Sequence, residues 1–228
     1  MLIADSQAQR WIRPADAEAD MGVEVAEVPS PSTTGGGLPS AVLGMQQRLH
    51  TTLGPLLADT AGRRVVVVSR LQDVPVANLA TLGMLLQHSE GRGGTYVALD
   101  RPVRYIQRLL DKHHIPHRSL LTVDGVGGMA AENNEENTQG VVATPFTLSD
   151  ALRALRDDPR LGDFVLVDNL SSLLNFLSAS DVAALLTPLR ALQGDPPARH
   201  LIVIASYHSA LERTLADGWD ATVEIKER

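Results

Sequence analysis

Residues 63–79 read RRVVVVSRLQDVPVANL. Val65 to Val68 put an apolar side chain on both faces of a pleated strand, which marks a strand buried on both sides, as at the centre of a parallel sheet. A polar turn, SRLQDVP at 69–75, separates this strand from a helix predicted from Val76 onward. In that helix Leu79, Leu82, Met84, Leu85 and Leu86 suit a buried position, and SEGRGG at 89–94 ends it.

The same strand-then-helix unit recurs on either side. TYVALD (95–100) reads as a strand and RPVRYIQRLLDKHHI (101–115) as an amphipathic helix. Pro102 suits its first turn, and Val103, Ile106, Leu109 and Leu110 form its apolar face. RSLLTVDG (118–125) is a third strand, followed by a glycine-rich acidic stretch at 126–140 that suits an exposed loop. VVATPF (141–146) is a short strand or extended segment, and TLSDALRALRDDP (147–159) a helix with Ser149 or Thr147 as N-cap. DFVLVDNLSSLL (163–174) is a strongly apolar strand, and SASDVAALLTPLRALQG (178–194) a helix capped by Ser180, kinked at Pro188 and stopped at Gly194. HLIVIAS (200–206) is another buried strand, SALERTLADG (209–218) a short helix, and ATVEIKE (221–227) a half-exposed edge strand. With a helix and turn over 41–57, the order predicts an α/β fold with a doubly wound, mostly parallel sheet.

Composition narrows the function classes. A chain of 228 residues with 44% hydrophobic and 21% charged residues is long enough for one cored domain plus an appendage. Residues 1–40 are poor in large apolar side chains and end in PSPSTTGGGLPS (29–40), so they read as a flexible arm before a domain at 41–228. Trp11 and Ile12 in that arm either dock on the domain, meet a partner or are incidental. No apolar run is long enough to span a membrane, and the acidic start lacks the pattern of an export signal, so a cytoplasmic address is expected. Absence of cysteine excludes disulfides, thiolate metal sites and cysteine nucleophiles. The net charge of -7 makes nucleic acid a lesser expectation than a protein partner or self-association.

In a doubly wound sheet, ligands meet the residues just after each strand. A phosphate-binding loop there needs G-x-x-x-x-G-K-[S/T], with glycine amides and a lysine around the phosphates and a hydroxyl on magnesium. Aligned on Ser69 at the strand end, those four positions are Arg70, Pro75, Val76 and Ala77, with Asp73 between them. The chain's lysines, Lys112 and Lys226, lie elsewhere. No nucleotide site, metal or other cofactor is expected from this loop.

The strand order, the helix after VVVVS, GGTYVALDRPVRYIQRLLDKHHI (93–115), FVLVDNLSSLL (164–174) and LADGWDATVEIKE (215–227) resemble the RecA-like ATPases of the KaiC type over residues 41–227. Within that superfamily the chain looks closest to prokaryotic, largely archaeal, uncharacterised members that lack the phosphate loop. They share a TVDGV-like third strand and a D-x-L-S-x-L segment. The resemblance implies a RecA-like P-loop NTPase fold with a degenerate loop, Asp100 at the family's catalytic acid and Asp168 at its magnesium-linked aspartate. It also implies self-assembly or ring formation with relatives. Elongator is a parallel, since its RecA-like subunits lack phosphate loops and form a ring that binds transfer RNA.

Each site residue has a structural reading beside the chemical one. Asp168 either holds magnesium or caps the backbone near Asn169 and Ser171, and Asp100 is a good N-cap for the helix after Pro102. His113, His114 and His117 lack a shared helical face, because the first two are adjacent and Pro116 intervenes, so a solvated helix end outranks a metal site. Glu132, Glu135 and Glu136 suit a solvated loop, and Ser206, Tyr207 and His208 fall at a strand end without an assignable acid–base–nucleophile order. The expectation is therefore a non-catalytic domain acting as an assembly, adaptor or regulatory subunit. Its interface candidates are Arg70, Asp73, Arg101, Arg104, Asn169 and Ser171. The alternative is a divergent nucleotide-binding ATPase using Asp168 and Asp100 with arginines in place of the lysine.

Overall fold

A computed structural model describes residues 39–127, 140–193 and 199–225. The proposed arm up to residue 38 with Trp11 and Ile12, the acidic loop with Glu132, Glu135 and Glu136, the stop at Gly194, and Lys226 lie outside the described residues.

The strands are β1 (Arg64–Ser69), β2 (Gly94–Ala98), β3 (Leu120–Asp124), β4 (Gly140–Val142), β5 (Phe164–Val167), β6 (His200–Ser206) and β7 (Ala221–Glu224). They form one seven-stranded sheet in the order β4-β3-β2-β5-β6-β1-β7. Every pairing is parallel, with Val67 of β1 opposite Ile204 of β6 and Val97 of β2 opposite Val167 of β5. The short segment 140–142 is thus a strand at one edge, and β7 forms the other edge as its alternating pattern predicts.

Successive residues of each strand feed opposite layers. Val65, Val67, Tyr96, Phe164, Ile202 and Ile204 pack under α1 (Ser40–His50), α2 (Gly54–Leu57), α3 (Val74–His88) and α4 (Val103–Lys112). Val66, Val97, Val165, Val167, Leu201 and Val203 pack under α5 (Leu148–Leu155), α6 (Ala179–Ala191) and α7 (Ser209–Ala216). This double cover explains why β1 needs an unbroken valine run, and it makes the fold the expected doubly wound α/β sheet.

Several helix starts differ from the sequence expectation, each for a local reason. α3 begins at Val74, two residues early, because a 3-10 turn at Leu71–Asp73 leads directly into it. α6 is capped by Ser178, not Ser180: the Ser178 hydroxyl accepts the Asp181 N–H while the Asp181 carboxylate accepts the Ser178 N–H, a reciprocal cap. Pro188 is accommodated inside that helix. Pro102 precedes α4 at its N-cap position, so Asp100 does not cap the helix; Asp124, from the end of β3, accepts the Val103 N–H at 3.1 Å instead. The same carboxylate accepts the Gly127 N–H at 2.6 Å, and a Cβ on Gly127 would lie 2.3 Å from it, so a side chain at 127 would displace the carboxylate that caps α4. Gly162 is similarly constrained, with φ +69 and a Cβ position 2.6 Å from the Gly93 backbone, which lets the start of β5 lie close to the start of β2.

Candidate functional site at the carboxyl ends of the strands

Helices leave β2 and β5 toward opposite layers, as they do β1 and β6, so the sheet has two crevices where a ligand or partner can enter at the strand ends.

At the β2–β5 crevice, Asp168 follows the last residue of β5 and is only 1% exposed. Its Oδ1 accepts the Leu99 N–H at 2.7 Å, which ties the end of β5 to the end of β2. Its Oδ2 lies 3.4 Å from the Tyr96 hydroxyl, and the Tyr96 oxygen accepts a hydrogen from Asn78 Nδ2 at 2.7 Å. Burial pushes the Asp168 carboxyl up to about 7; the Leu99 N–H bond opposes that rise and the nearby Asp100 charge adds to it. Burial, reinforced by Asp168, also pushes the Tyr96 phenol well above its usual range, so it remains a hydrogen-bond donor.

The segment after Asp168 continues the interlock. Ser172 Oγ donates within reach of the Leu99 and Asn169 carbonyls, both at 2.7 Å. Ser171 Oγ donates to the Ser206 carbonyl at 3.0 Å and accepts the Ser206 N–H at 3.1 Å. The D-x-L-S-x-L segment therefore pins the ends of β2 and β6 to β5. Asn169 and Ser171, at 1% and 7% exposed, are removed from the set of surface interface candidates, because they turn inward to make this junction.

The other candidates stay at the surface. Arg70 and Arg104 are exposed, while Asp73 and Arg101 are half-buried. Asp100 lies 3.7 Å from Arg101, whose guanidinium covers the Tyr105 ring at 4.8 Å and donates to its hydroxyl at 2.7 Å. In the β1–α3 turn Ser69 is buried and donates to the Arg70 carbonyl at 3.2 Å; Pro75 sits in the first turn of α3, Val76 is half-buried and Ala77 is buried.

The histidines separate. His113 lines a cavity beside α4, His114 is exposed with φ +54, and His117 Nδ1 is 3.1 Å from the Ile115 carbonyl. Among the described residues no three histidine or acidic side chains gather to hold a metal. Ser206, Tyr207 and His208 line a separate cavity of about 460 Å³ with Val68, Glu212 and Thr222. His208 uses Nδ1 to accept the Ala210 N–H at 3.2 Å, so its ring caps α7.

Tyr96 and Asn78 are site residues that the sequence reading passed over. Their signal was chemical: a phenol inside an otherwise aliphatic strand and an amide within an apolar helix, each needing a buried partner. The rim carries a second unanticipated feature. Leu71 (69% exposed), Phe146 (69%) and Tyr207 (51%) follow closely on strand ends, while Phe176 (40%) ends the 3-10 segment Leu170–Asn175 after β5.

No family model matches the sequence. No curated protein matches it. In fold it is similar to a KaiC-like protein from the hyperthermophilic archaeon Pyrococcus horikoshii, at 14% identity over 74% of each chain and a TM-score of 0.46. It is likewise similar to an uncharacterized Pyrococcus horikoshii protein crystallised in complex with an unknown peptide, at 13% identity over 74% of this chain and 77% of that one, with a TM-score of 0.45. Among the described residues no helix is long and apolar enough to cross a membrane.

Proposed function

We propose that this chain is a non-catalytic domain of RecA-like type that acts through protein contacts at the strand-end rim, as an assembly, adaptor or regulatory subunit. One observation carries the reading: Asp168, the residue that the resemblance aligns with a magnesium-linked aspartate, is buried and spends Oδ1 on the Leu99 N–H. Its carboxyl is raised to about 7, so near neutrality it exists in large part as the uncharged acid. Magnesium bound to a nucleotide requires an ionised oxygen donor, near-octahedral geometry and neighbouring groups to cradle phosphates. Positions 70 and 75–77 offer arginine, proline, valine and alanine for that cradle.

The rim supplies what a protein contact needs. Leu71 and Tyr207 are exposed apolar anchors, and Arg70, Asp73, Arg101 and Arg104 supply both signs of charge in the segments after the strands. Apolar anchors within a polar surround are the usual anatomy of a protein interface. Light scattering of the purified chain, run beside a magnesium–ATP titration, tests the proposal. Self-association without saturable nucleotide binding supports it. ATP turnover that disappears in Asp168→Ala overturns it, because a contaminating activity does not respond to that change.

A further inference from the structure

Two rows of side chains run side by side along α4. Arg104, Arg108 and Lys112 stand four residues apart and are exposed. Each is followed by a member of the second row, Tyr105, Leu109 and His113, which lines a cavity of about 260 Å³. The other aliphatic walls of that cavity include Val42 of α1, Val76 and Leu79 of α3, and Ile106 of α4. Val76, Leu79 and Leu109 are only half-buried, so apolar side chains expected in a core face stay within reach of solvent here. Residues 100–112 carry four cationic side chains, Arg101 and the first row, against Asp100 and Asp111, in a chain of net charge -7. Like charges four residues apart disfavour a helix, whereas α5 sets Asp150 three residues before Arg153, an attractive pair. The folding of α4 does not account for its cationic row.

We propose that this face docks an acidic segment of a partner protein, with an aliphatic side chain of the partner in the cavity and its carboxylates against Arg108 and Lys112. Charge complementarity selects the acidic partner, because a cationic row on an acidic chain steers a carboxylate-rich surface to this one place. The two acids of the stretch lie beside groups of the opposite kind: Asp100 is 3.7 Å from Arg101, and Asp111 is 3.8 Å from His117 Nε2. The cavity selects a peptide over a nucleic acid. Proteins that bind single strands stack bases on aromatic rings, whereas the ring in this face, Tyr105, is only 40% exposed and already lies under the Arg101 guanidinium at 4.8 Å. Aliphatic walls suit instead a leucine, isoleucine or methionine, the anchor by which an amphipathic segment seats in a groove. The inference rests on α4 and its cavity, not on Leu71 and Tyr207 at the rim.

Fluorescence anisotropy of the full chain with a short labelled peptide of leucine and glutamate, patterned as an amphipathic helix, tests it. The peptide binds saturably. Versions with lysine for every glutamate, or alanine for every leucine, bind at least about tenfold more weakly, a difference of about 1.4 kcal/mol. Arg108→Glu combined with Lys112→Glu weakens the peptide by about tenfold or more and flattens the salt dependence of its affinity. Leu109→Gln keeps the cationic row and removes an apolar wall, so it weakens binding with the salt dependence retained; urea unfolding confirms that each variant is folded. Absence of saturable binding overturns the proposal, as does equal binding of the lysine or alanine peptide, or unchanged affinity in either folded variant. A single-stranded oligonucleotide that binds more tightly than the peptide, and is lost in the Arg108/Lys112 variant, overturns it in favour of nucleic acid. Loss of self-association in that variant, read by light scattering, overturns it too, because the face then joins copies of this chain. Failure of the peptide with self-association intact overturns this site and leaves the rim reading standing.

Discussion

The two crevices of this sheet arise from the same topology and carry opposite chemistry. At β2–β5, polar side chains are buried and interlocked: Asp168 holds Leu99, Ser172 reaches the Leu99 carbonyl, and Tyr96 joins Asn78 to Asp168. At β1–β6, Ser69 and Ser206 are buried, but the chain beyond them turns outward and exposes Leu71 and Tyr207. A buried polar residue must be matched by partners, so the first crevice is a constraint on the fold as well as a site. The second crevice is tied by Ser171 to Ser206 and by the Tyr207 N–H to the Ser69 carbonyl, yet it leaves apolar surface uncovered, which folding alone does not require. On the proposed reading, substitution in the first region damages stability and substitution in the second damages association.

The largest expected effect concerns Asp168 and pH. Its folded-state value of about 7 lies well above the ordinary carboxylate range, so the folded chain holds this proton more tightly than the unfolded chain. The associated stability is fully present below about 4 and is lost as pH rises through about 7, with a total on the order of 4 kcal/mol. His200 works the other way: burial, followed by the charge of His88, lowers its value, so its contribution is lost as pH falls below the ordinary histidine range. The difference between parent and Asp168→Asn in urea unfolding across this range isolates the carboxyl. The parent loses stability relative to the variant with rising pH; parallel curves break the claim that this crevice carries a proton-sensitive junction.

A smaller loss is expected for Tyr96→Phe, which removes the hydroxyl shared by Asn78 and Asp168. Leaving the Asn78 NH₂ without its acceptor costs about 1–2 kcal/mol in urea unfolding. In a double-mutant cycle with Asn78→Leu the two losses are non-additive, because both substitutions remove the same bond. Full additivity would place the phenol outside this network.

How far this contrast could be read from the residues depends on range. The strands and their doubly covered sheet were legible because apolar patterning is local: Val65 to Val68 declare two buried faces without reference to any other segment. Asp168 was legible as an acid after a strand, but its partner was not, since Leu99 lies 69 positions away and the bond depends on β2 and β5 being neighbours. The same distance hid the role of Asp124, which caps α4 in place of Asp100. Asn169 and Ser171 were expected at the surface because they follow a strand end, and their inward turn became visible only with the junction to β6. The cap of α6 was misplaced for a shorter-range reason: the sequence offers Ser178 and Ser180 two residues apart, and reciprocal bonding with Asp181 selects the first.

The smallest stability effect, and the sharpest test of the contrast, belongs to the rim. Leu71→Ser combined with Tyr207→Ser removes exposed apolar surface without touching a core contact, since the two side chains are 69% and 51% exposed. Unfolding free energy should therefore stay within about 0.5 kcal/mol of the parent. If these residues anchor an interface, their truncation weakens self-association by about tenfold or more, because binding energy concentrates in a few apolar or aromatic anchors. Reversing Arg70 and Arg101 together should act in the same direction through the surrounding charge, with a stronger effect at low salt than at high salt. Sedimentation or light scattering across a concentration series reads both outcomes. A parent that associates and a Leu71/Tyr207 variant that associates equally well would place the contact away from the β1–β6 crevice. A variant that loses several kcal/mol would show that this rim, like the β2–β5 crevice, is built into the fold.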